Sequence, residues 1–463
     1  MSAAFIDELR SVFDPTTVLT GSDIDARYHT DLAGVPVAPP IAVMRPCSTE
    51  DVSKFLRLCH LARVAVTTQG GMTGLVRATM PLPGEIVLSM ERMNAIEEVD
   101  TGGGVVITQT GVPLQRLQER VAEDGFMFPL DLGARGSCTI GGNISTNAGG
   151  NRVIRYGMTR DLVLGLEAVL ADGTILKGVR KYIKNNTGID LKQLFVGTEG
   201  TLGVVTRAAL RIFPAPAEQQ VALCALESFD KVRALLSLAR TRLGGDLTAF
   251  EVMWNEYYRL TTELVKGVAA PLPTNHPFYV LLESSGSDAE RIRSDLEEML
   301  ETALEDNIIL DATIASSGAA AAAIWKIRDS SVELGRAIGP NGAGFDISLA
   351  IDKMEAFADR IKEQARRIDK DAYAIVFGHA GDGNLHVNVK YPPVADRTEE
   401  ITKLVYGITS DFAGSISAEH GIGILKRPYL KLSRTEEEIE TMRTLKRALD
   451  PHHILNPGRI FTI

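Results

Sequence analysis

The sequence predicts an α+β protein with more than one domain, and three observations support this class. Short apolar runs typical of strands are interleaved with segments of helical periodicity along the chain. Three glycine-rich segments interrupt the first half, whereas the second half is more regular. Pro214-Ala215-Pro216 lies between the halves, and we place a domain boundary there. With 463 residues, the chain is long enough for two or three domains.

Composition and charge exclude several classes of protein. Hydrophobic residues make up 45% of the chain and charged residues 23%, as in an ordinary globular protein. The net charge of -10 argues against nucleic acid as the main partner. The scattered cysteines and the absence of signal-peptide features predict a cytoplasmic protein. No apolar run reaches the roughly 18 residues that a membrane span needs.

The first half begins with an amphipathic helix within residues 1–36. A capping-box-like start at Ser48 precedes apolar residues at helical spacing, which predicts a helix over 49–62. Pro113 suits the first turn of a further helix. Asp172-Gly173 predicts the turn of a β-hairpin over 162–176. The apolar runs that predict the other strands of this half are 41–44, 64–67, 86–89, 104–111 and 204–213.

The second half alternates strands and helices in a pattern typical of an open sheet covered by helices on one face. The predicted strands are 221–226, 247–252, 278–283, 308–314 and 345–350. The predicted helices are 229–243, 289–304, 318–338, 353–368 and 436–449. The helix over 318–338 is notably rich in alanine.

Glycine-rich segments in the first half favour binding of a large anionic ligand. They are Gln69 to Leu75, Pro129 to Gly150 and Leu194 to Gly203. Backbone without bulky side chains can approach a ligand closely, and its N–H groups can cradle a pyrophosphate. An ordinary long loop is the alternative for 129–150, but structureless loops of that length are uncommon unless functional. Neither a Rossmann nor a Walker motif is present.

The chemistry of the chain is predicted to lie between Phe377 and Asn388. Two apolar strands flank a Gly-Asp-Gly-Asn turn, so His379 and His386 can meet across it. Two neutral imidazoles favour a divalent metal, and Glu419 is a candidate third ligand. The alternative is a tight hairpin with incidental histidines. Alternation also places His386 and Asn388 on one face of the second strand.

These motifs carry a family resemblance. The first 214 residues resemble the FAD-binding domain of the vanillyl-alcohol oxidase/p-cresol methylhydroxylase superfamily, and the rest resembles the C-terminal cap of its D-2-hydroxyacid dehydrogenase branch. The resemblance implies FAD contacts at Gln69, Gly70, Gly71, Met72, Thr73, Gly74, Leu75, Pro129, Leu130, Asp131, Gly133, Ala134, Ser137, Cys138, Thr139, Gly141, Gly142, Asn143, Thr146, Asn147, Gly149, Glu199, Gly203, Val204 and Asn456.

The same resemblance implies a fold and a domain order. Residues 1–214 would form a two-subdomain FAD-binding domain of the p-cresol methylhydroxylase type. Residues 215–413 would form a substrate or cap domain with an antiparallel sheet covered by helices. Residues 414–463 would return to pack on the FAD-binding domain. No histidine lies in the first glycine-rich loop, so FAD is expected to be held non-covalently.

The resemblance also implies roles for individual residues. His379, His386 and Glu419 would bind the metal, as Zn²⁺ or alternatively Mn²⁺, Co²⁺ or Fe²⁺. His420 would act as general base, for which an imidazole has a suitable pKa. Three further residues are assigned to substrate binding, with a surface position as the alternative for each: Arg328, Asn388 and Arg77.

The implied function is oxidation of a D-2-hydroxy acid, with D-2-hydroxyglutarate as first choice. D-lactate, another D-2-hydroxy acid or a role like that of a glycolate oxidase subunit are alternatives, because Gly344 and Phe345 stand where 2-hydroxyglutarate enzymes carry a lysine. The electron acceptor would be an electron-transfer flavoprotein or a quinone, and a homodimer is expected. A metal-dependent hydrolase and a non-catalytic oxidase subunit are the rival functions.

Overall fold

The computed structural model describes residues 3–30, 32, 35–393 and 396–463. The chain forms two compact units. Unit 1 comprises Met1–Gly149, Gly157–Ala215 and Glu419–Ile463, and unit 2 comprises Gly150–Tyr156 and Pro216–Ala418. Both combine helices with sheets whose strands are mostly antiparallel, which confirms the α+β class. In the described ranges, no helix is long and apolar enough to span a membrane.

The elements before residue 216 belong to unit 1, except one helix in the segment 150–156. The helices are α1 (Ala3–Val12), α2 (Thr49–Ala62), α3 (Leu114–Ala122), α4 (Ile140–Thr146), α5 (Val153–Tyr156) and α6 (Thr159–Leu162). The strands are β1 (Val18–Leu19), β2 (Val43–Met44), β3 (Val66–Gln69), β4 (Ile86–Ser89), β5 (Ile96–Asp100), β6 (Val105–Gln109), β7 (Phe126–Met127), β8 (Val163–Val169), β9 (Ile175–Gly178), β10 (Val204–Arg211) and β11 (Phe213–Pro214).

Unit 1 contains two main sheets. In the four-stranded sheet, ordered β1-β2-β4-β3, strand β4 runs parallel to both β2 and β3. The five-stranded sheet, ordered β5-β6-β10-β8-β9, is antiparallel throughout. Strands β7 and β11 form a separate two-stranded ribbon. Two sheets within one unit correspond to the two subdomains of the predicted fold class.

Local sequence signals explain several of these elements. Ser48 caps α2 by accepting a hydrogen bond from the Asp51 N–H, and the apolar face of α2 is buried, as its spacing predicts. Strands β8 and β9 form the predicted hairpin. Gly173 adopts φ +87° in its turn, a conformation that glycine reaches without strain.

The glycine-rich segment over 129–150, for which an ordinary long loop was the alternative, contains a helix in its second half. Helix α4 forms although glycine, serine, threonine and asparagine are weak helix formers. Thr139 caps it by accepting a hydrogen bond from the Gly142 N–H. Ile140 and Ile144 are buried on one side. Capping and burial therefore override helix propensity in this segment.

The elements after residue 216 belong to unit 2 up to residue 418, and the last helix belongs to unit 1. The helices are α7 (Phe229–Leu243), α8 (Asn255–Leu264), α9 (Ala289–Glu305), α10 (Gly318–Asp329), α11 (Ser331–Ile338), α12 (Met354–Ile368), α13 (Thr398–Asp411) and α14 (Glu436–Leu449). The strands are β12 (Glu218–Leu226), β13 (Leu247–Trp254), β14 (Phe278–Gly286), β15 (Asp311–Ile314), β16 (Gly342–Ser348), β17 (Tyr373–His379) and β18 (Asn384–Lys390).

Unit 2 is built on a seven-stranded antiparallel sheet ordered β15-β12-β14-β13-β17-β18-β16. Helices pack on both of its faces rather than on the one face expected. Met253 lies in a core with residues of α8 and α10, whereas the next residue, Trp254, stacks on Phe229 of α7 with ring centroids 5.4 Å apart. Successive strand residues point to opposite faces, so these helices lie on opposite sides.

The alanine-rich segment forms two helices, so the single predicted helix over 318–338 is wrong. Helix α10 ends at Asp329 and α11 begins at Ser331. Between them, the Ser330 hydroxyl donates to the carbonyl of Lys326 at 2.6 Å. Serine that bonds its own backbone competes with regular helix structure. Arg328 therefore lies in the last turn before a break.

The last segment of the chain is part of unit 1. Leu455 forms a parallel bridge with Val66 of β3. The Val66 N–H donates to the Ile454 carbonyl at 2.7 Å, and the Asn456 N–H donates to the Val66 carbonyl at 2.8 Å. The segment therefore extends the edge of the four-stranded sheet. This return confirms the part of the predicted fold class that concerns the C-terminal segment.

Candidate active site

A cavity lies within unit 1, with about 560 Å³ of space not filled by protein atoms when the open solvent at its mouth is included. It is lined by residues of the glycine-rich segments, of strands β3 and β10 and of the returning segment. Its lining residues are Thr68, Gln69, Gly70, Ala78, Thr79, Met90, Thr110, Thr139, Gly141, Gly142, Ser145, Thr146, Glu199, Gly200, Gly203, Val204, Val205 and Asn456. Residues that are far apart in sequence thus form one wall.

Glycine is required where the two loops of this wall pack backbone to backbone. A side chain at Gly71 would overlap the carbonyl oxygen of Ser137, and one at Gly70 would overlap the Thr139 hydroxyl. A Cβ atom at Gly141 would lie 2.8 Å from the Cβ atom of Thr110. Larger residues would push the loops apart, so these glycines maintain the shape of the cavity.

Two buried oxygens indicate that the cavity suits a polar ligand. Within the part of the chain that the structure describes, Thr68 Oγ1 and Gln69 Oε1 have no hydrogen-bond partner. The Gln69 amide is held because its Nε2 donates to the Tyr28 and Thr79 carbonyls, both at 2.8 Å. Buried polar groups are normally hydrogen-bonded. These oxygens and the glycine-lined wall therefore fit a nucleotide cofactor such as FAD.

The cavity brings together part of the predicted FAD-contacting set. Its wall includes Gln69, Gly70, Thr139, Gly141, Gly142, Thr146, Glu199, Gly203, Val204 and Asn456. Predicted residues that lie outside the lining set are Gly71, Met72, Thr73, Gly74, Leu75, Pro129, Leu130, Asp131, Gly133, Ala134, Ser137, Cys138, Asn143, Asn147 and Gly149.

Sequence reasoning did not assign eight lining residues to the cofactor: Thr68, Ala78, Thr79, Met90, Thr110, Ser145, Gly200 and Val205. Thr68, Ser145, Gly200 and Val205 each adjoin a predicted residue, so a wider window around the motifs would have found them. The other four lie outside the glycine-rich segments and carry no sequence signal.

Glu199 connects the cavity wall to the segment that follows His420. This buried residue adopts φ +51°. Its carboxylate accepts hydrogen bonds from the Ile422 N–H at 2.6 Å and the Gly423 N–H at 2.8 Å. Its carbonyl accepts a bond from Asn456 Nδ2 at 2.6 Å. The predicted general base therefore precedes a segment that is anchored on the cavity wall.

Glu199 should make stability depend on pH. Burial raises the pKa of Glu199 from 4.5 to about 7, although the two N–H donors and Lys426 oppose this shift. Between these values the folded state binds a proton that the unfolded state lacks, so stability falls as pH rises. Titration of Glu199 should lower the free energy of unfolding by roughly 3 kcal/mol between pH 4 and 8, and Glu199→Gln should abolish this decrease. Urea unfolding at a series of pH values measures it.

The control for this prediction is Glu123→Gln, which alters an exposed carboxylate in the same unit. Its stability curve should fall with pH in parallel with that of the unaltered protein. If the Glu199→Gln curve were also parallel, the carboxylate would titrate normally in the folded state.

The second part of the site lies in unit 2, on the hairpin of β17 and β18. These strands pair antiparallel, with Phe377 opposite His386. His379 is the last residue of β17. The turn brings the His379 and His386 rings together, with centroids 5.4 Å apart. Two imidazoles at this separation are close enough to bind the same small ligand or ion.

Each imidazole faces a buried carboxylate through its Nδ1 atom. His379 Nδ1 lies 2.6 Å from Glu251 Oε1, and Glu251 is opposite His379 in the pairing of β13 with β17. His386 Nδ1 lies 3.9 Å from Asp346 Oδ1, and Asp346 is opposite His386 on β16. Both carboxylates are fully enclosed. The 2.6 Å contact holds the His379 ring in place, whereas 3.9 Å is too long for a direct hydrogen bond between His386 and Asp346.

Arg328 completes a buried cluster with Glu251 and His379. Its Nε atom donates to Glu251 Oε2 at 2.7 Å, and its Nη2 atom lies 2.9 Å from His379 Nε2. The guanidinium also lies over the Phe377 ring, 5.2 Å from its centroid. Helix α10 supplies the arginine and two strands supply its partners, so the cluster joins three elements.

The charges of this cluster stabilise one another. Burial alone would raise the pKa of Glu251, but His379 and Arg328 outweigh it and lower that pKa to about 2. Burial opposes the charge of Arg328 as well, yet Glu251 raises the Arg328 pKa above its ordinary value. Glu251 and Arg328 are therefore both ionised at neutral pH.

The predicted substrate residue Asn388 lies on the same face of β18 as His386. Gly344 is opposite Asn388, and a Cβ atom at Gly344 would lie 2.9 Å from Asn388 Oδ1. Phe345 is buried on the other face of the strand, where it contacts Tyr406. The Asn388 amide therefore occupies the space beside Gly344, one of the two positions at which 2-hydroxyglutarate enzymes carry a lysine.

The remaining predicted residues belong to unit 1. Glu419 is its first residue after Ala418, the last residue of unit 2. Glu419 and His420 are both half-buried. Arg77 is half-buried with φ +58°, next to Val76, whose carbonyl accepts a hydrogen bond from the Ile424 N–H at 3.0 Å. The loop that carries Arg77 is thus hydrogen-bonded to the segment after His420, within unit 1.

The fold and the cavity together define a two-domain flavoprotein. A profile of the FAD binding domain matches residues 40–178, and one of the C-terminal domain of FAD linked oxidases matches residues 215–460. A D-2-hydroxyglutarate dehydrogenase of Stutzerimonas stutzeri is 38% identical over 465 residues, covering 99% of both chains. The mitochondrial D-2-hydroxyglutarate dehydrogenase of Danio rerio is 39% identical over 96% of this chain and 82% of its own.

Among solved structures, p-cresol methylhydroxylase with substrate bound matches all of this chain and 98% of its own, with a TM-score of 0.77 and 16% identity. That likeness supports the fold alone. The chain belongs to the family of FAD linked oxidases that includes these D-2-hydroxyglutarate dehydrogenases, and it is an FAD-dependent hydroxyacid dehydrogenase. The rival interpretation as a metal-dependent hydrolase is therefore set aside.

Proposed function

We propose that the protein is an FAD- and divalent-metal-dependent dehydrogenase that oxidises a D-2-hydroxy acid to the 2-oxo acid, with D-2-hydroxyglutarate as the preferred substrate. The observation that carries this proposal is the pair of carboxylate-backed imidazoles beside Arg328 in unit 2. The names of the relatives support the substrate class.

His379, His386 and Glu419 would hold the metal. Two ring nitrogens and one carboxylate oxygen suit Zn²⁺, and Mn²⁺, Co²⁺ or Fe²⁺ would also accept this donor set. When bound, such an ion lowers the pKa of the substrate's C2 hydroxyl group and orients it. Glu251 supports the donor set because its carboxylate holds the Nδ1 side of the His379 ring, and Asp346 lies beside the Nδ1 side of the His386 ring.

The glycine-lined cavity of unit 1 would hold FAD without a covalent bond. Thr68 Oγ1 and Gln69 Oε1 would each gain the hydrogen-bond partner that the cavity wall does not supply. When bound, FAD accepts the hydride that leaves C2 of the substrate.

The other predicted residues would handle the substrate and its proton. His420 would take the hydroxyl proton, and Arg328 would pair with a carboxylate through its planar fork. Asn388 would donate a hydrogen bond from its amide, and Arg77 would add a second cation. We further propose a cytoplasmic homodimer that passes its electrons to an electron-transfer flavoprotein or a quinone.

The structure offers one reason to keep D-lactate as a second candidate. Gly344 contributes no side chain beside Asn388, so this strand offers an amide rather than a cation to the distal end of the substrate. A neutral side chain such as the methyl group of D-lactate would need no cation there. D-2-hydroxyglutarate would need Arg77 or another cation to pair with its second carboxylate.

Anaerobic mixing of the purified flavoprotein with chiral 2-hydroxy acids tests the proposal. D-2-hydroxyglutarate should bleach the flavin absorbance at least about ten times faster than D-lactate, the difference that roughly 1.4 kcal/mol of differential binding gives. Both L-isomers should leave the flavin oxidised. Faster bleaching by D-lactate would favour the second candidate, and bleaching by L-isomers alone would contradict both. Flavin that no hydroxy acid reduces would favour the non-catalytic subunit.

A further inference from the structure

We propose that Glu251 is a positioning residue that couples the metal-binding imidazole of His379 to the guanidinium of Arg328. The proposal rests on the proposed function, because it assigns Glu251 a role toward the same metal and substrate. Glu251 bonds to the two residues at once, with Oε1 facing His379 Nδ1 and Oε2 accepting from Arg328 Nε.

The donors and acceptors of the cluster define the tautomer of His379. Arginine has only donors, so the 2.9 Å contact requires Nε2 of His379 to accept a hydrogen bond from Arg328 Nη2. An ionised carboxylate only accepts, so the 2.6 Å contact requires Nδ1 of His379 to carry the proton. This pattern of contacts places the proton of the ring on Nδ1 and its lone pair on Nε2. A metal ligand needs this form.

Arg328 Nη2 donates to the lone pair of His379 Nε2, which a bound metal ion would use. It must withdraw its Nη2 group from His379 Nε2 when that atom becomes a ligand. The Nε contact with Glu251 is on another nitrogen, so the rigid guanidinium can tilt as a whole about this contact and direct its Nη2 group toward a substrate carboxylate. Glu251 thus keeps the arginine beside the metal and couples metal binding to release of a donor for substrate.

The surroundings of Glu251 make it suitable for this role. It lies on β13, between β14 and β17, and is 1% exposed. In this central strand its backbone is held by hydrogen bonds on both sides. Glutamine at this position would place an N–H group against either Arg328 Nε or His379 Nδ1. Donor would then face donor, or the imidazole would have to change tautomer.

The test compares Glu251→Gln with Glu283→Gln. Glu283 is also 1% exposed and lies on the neighbouring strand β14, where it accepts from Thr248 Oγ1 at 2.8 Å and Trp325 Nε1 at 3.0 Å. Both variants remove a buried charge from the same sheet, but only one touches His379. The probe is Co²⁺, titrated into the metal-stripped FAD-loaded protein in competition with a chromophoric chelator.

Glu251→Gln should raise the dissociation constant for Co²⁺ by about 10–100-fold, as loss of a carboxylate behind a metal-bound histidine does elsewhere. Glu283→Gln should change it by less than about 3-fold. Equal affinities in the unaltered protein and Glu251→Gln would overturn the inference. Failure of the unaltered protein to bind any Co²⁺ would instead overturn the metal part of the proposed function.

A second readout needs no metal. In histidine-labelled, metal-free protein, the ¹⁵N shifts of His379, assigned by loss of its signals in His379→Gln, should report an Nδ1–H tautomer. Glu251→Gln should shift the ring toward the Nε2–H form, whereas Glu283→Gln should not. Should Glu251→Gln fail to fold, Glu251→Asp keeps the charge but shortens its reach, and the same two readouts apply. An unchanged tautomer in the folded variant would contradict the positioning role.

Discussion

Replacing His379 and His386 together by glutamine should abolish stoichiometric binding of divalent metal and lower kcat/KM for the hydroxy acid by at least about 1000-fold, because a metal supplies several kcal/mol of stabilisation to the reacting oxygen. FAD should remain bound, because its cavity lies in unit 1 and both histidines lie in unit 2. Glutamine is preferred to alanine because its amide can still donate to the Glu251 carboxylate.

Metal content, flavin content and turnover should be measured on the same preparation. His276→Gln provides a control, because it changes a histidine of unit 2 that lies outside the cluster of His379, Glu251 and Arg328. It should leave all three quantities within about 2-fold. A double variant of His379 and His386 with full activity would show that the reaction needs no metal at this hairpin.

Arg459→Met should lower the free energy of unfolding of unit 1 by about 3–5 kcal/mol, because it leaves a buried carboxylate without its counter-charge. Arg459 is 1% exposed. Its Nη1 and Nη2 atoms bind Glu85 at 2.6 and 2.8 Å, and Nη2 also donates to the Met80 carbonyl at 2.6 Å. Few other residues in unit 1 combine such burial with so many charge-assisted bonds.

The measurement is thermal unfolding followed by flavin fluorescence, with a drop in Tm of about 6–20 °C expected for a unit of this size. Flavin should also dissociate more readily, because Arg459 Nε donates at 3.3 Å to the carbonyl of Ala78, a residue of the cavity wall. Arg447→Met, at an exposed pair with Glu440, should change Tm by no more than about 4 °C.

The double variant Arg459→Met/Glu85→Gln separates the ion pair from packing. It removes both charges, so it should recover part of the lost stability. A double variant no more stable than Arg459→Met would assign the loss to packing of the arginine side chain instead.

Periodicity in the sequence predicted several of the regular elements, although helices α8 and α13 were not predicted. Helices over 229–243 and 436–449 and the strand over 86–89 have the predicted bounds. It failed where tertiary contacts decide the structure. Helix α4 depends on the burial of Ile140 and Ile144, and the break before α11 depends on a serine that bonds its own backbone. A pattern of residue types contains neither contact.

Some residues of the site could likewise be predicted from sequence motifs, and others could not. Glycines and histidines occur in short motifs, so the cavity loops and the hairpin were visible in sequence. Glu251 was missed because it is a single acidic residue within the apolar run of β13, and its partners Arg328 and His379 are distant in sequence. A charged residue flanked by buried apolar residues in a strand was the available signal. Arg459 and Glu85 were also missed, because these partners are 374 residues apart in sequence.

The return of the chain to unit 1 has a consequence for synthesis on the ribosome. Asn456 lines the cofactor cavity, bonds the Glu199 carbonyl and pairs with β3 through its N–H group. Nascent chains that have not yet reached this residue lack part of the cavity, although most of unit 1 has already been translated. The cavity is therefore complete only after Asn456 has been synthesised, and unit 2 emerges while the earlier unit is still incomplete. A chaperone that shields the exposed edge of β3 would act during that interval.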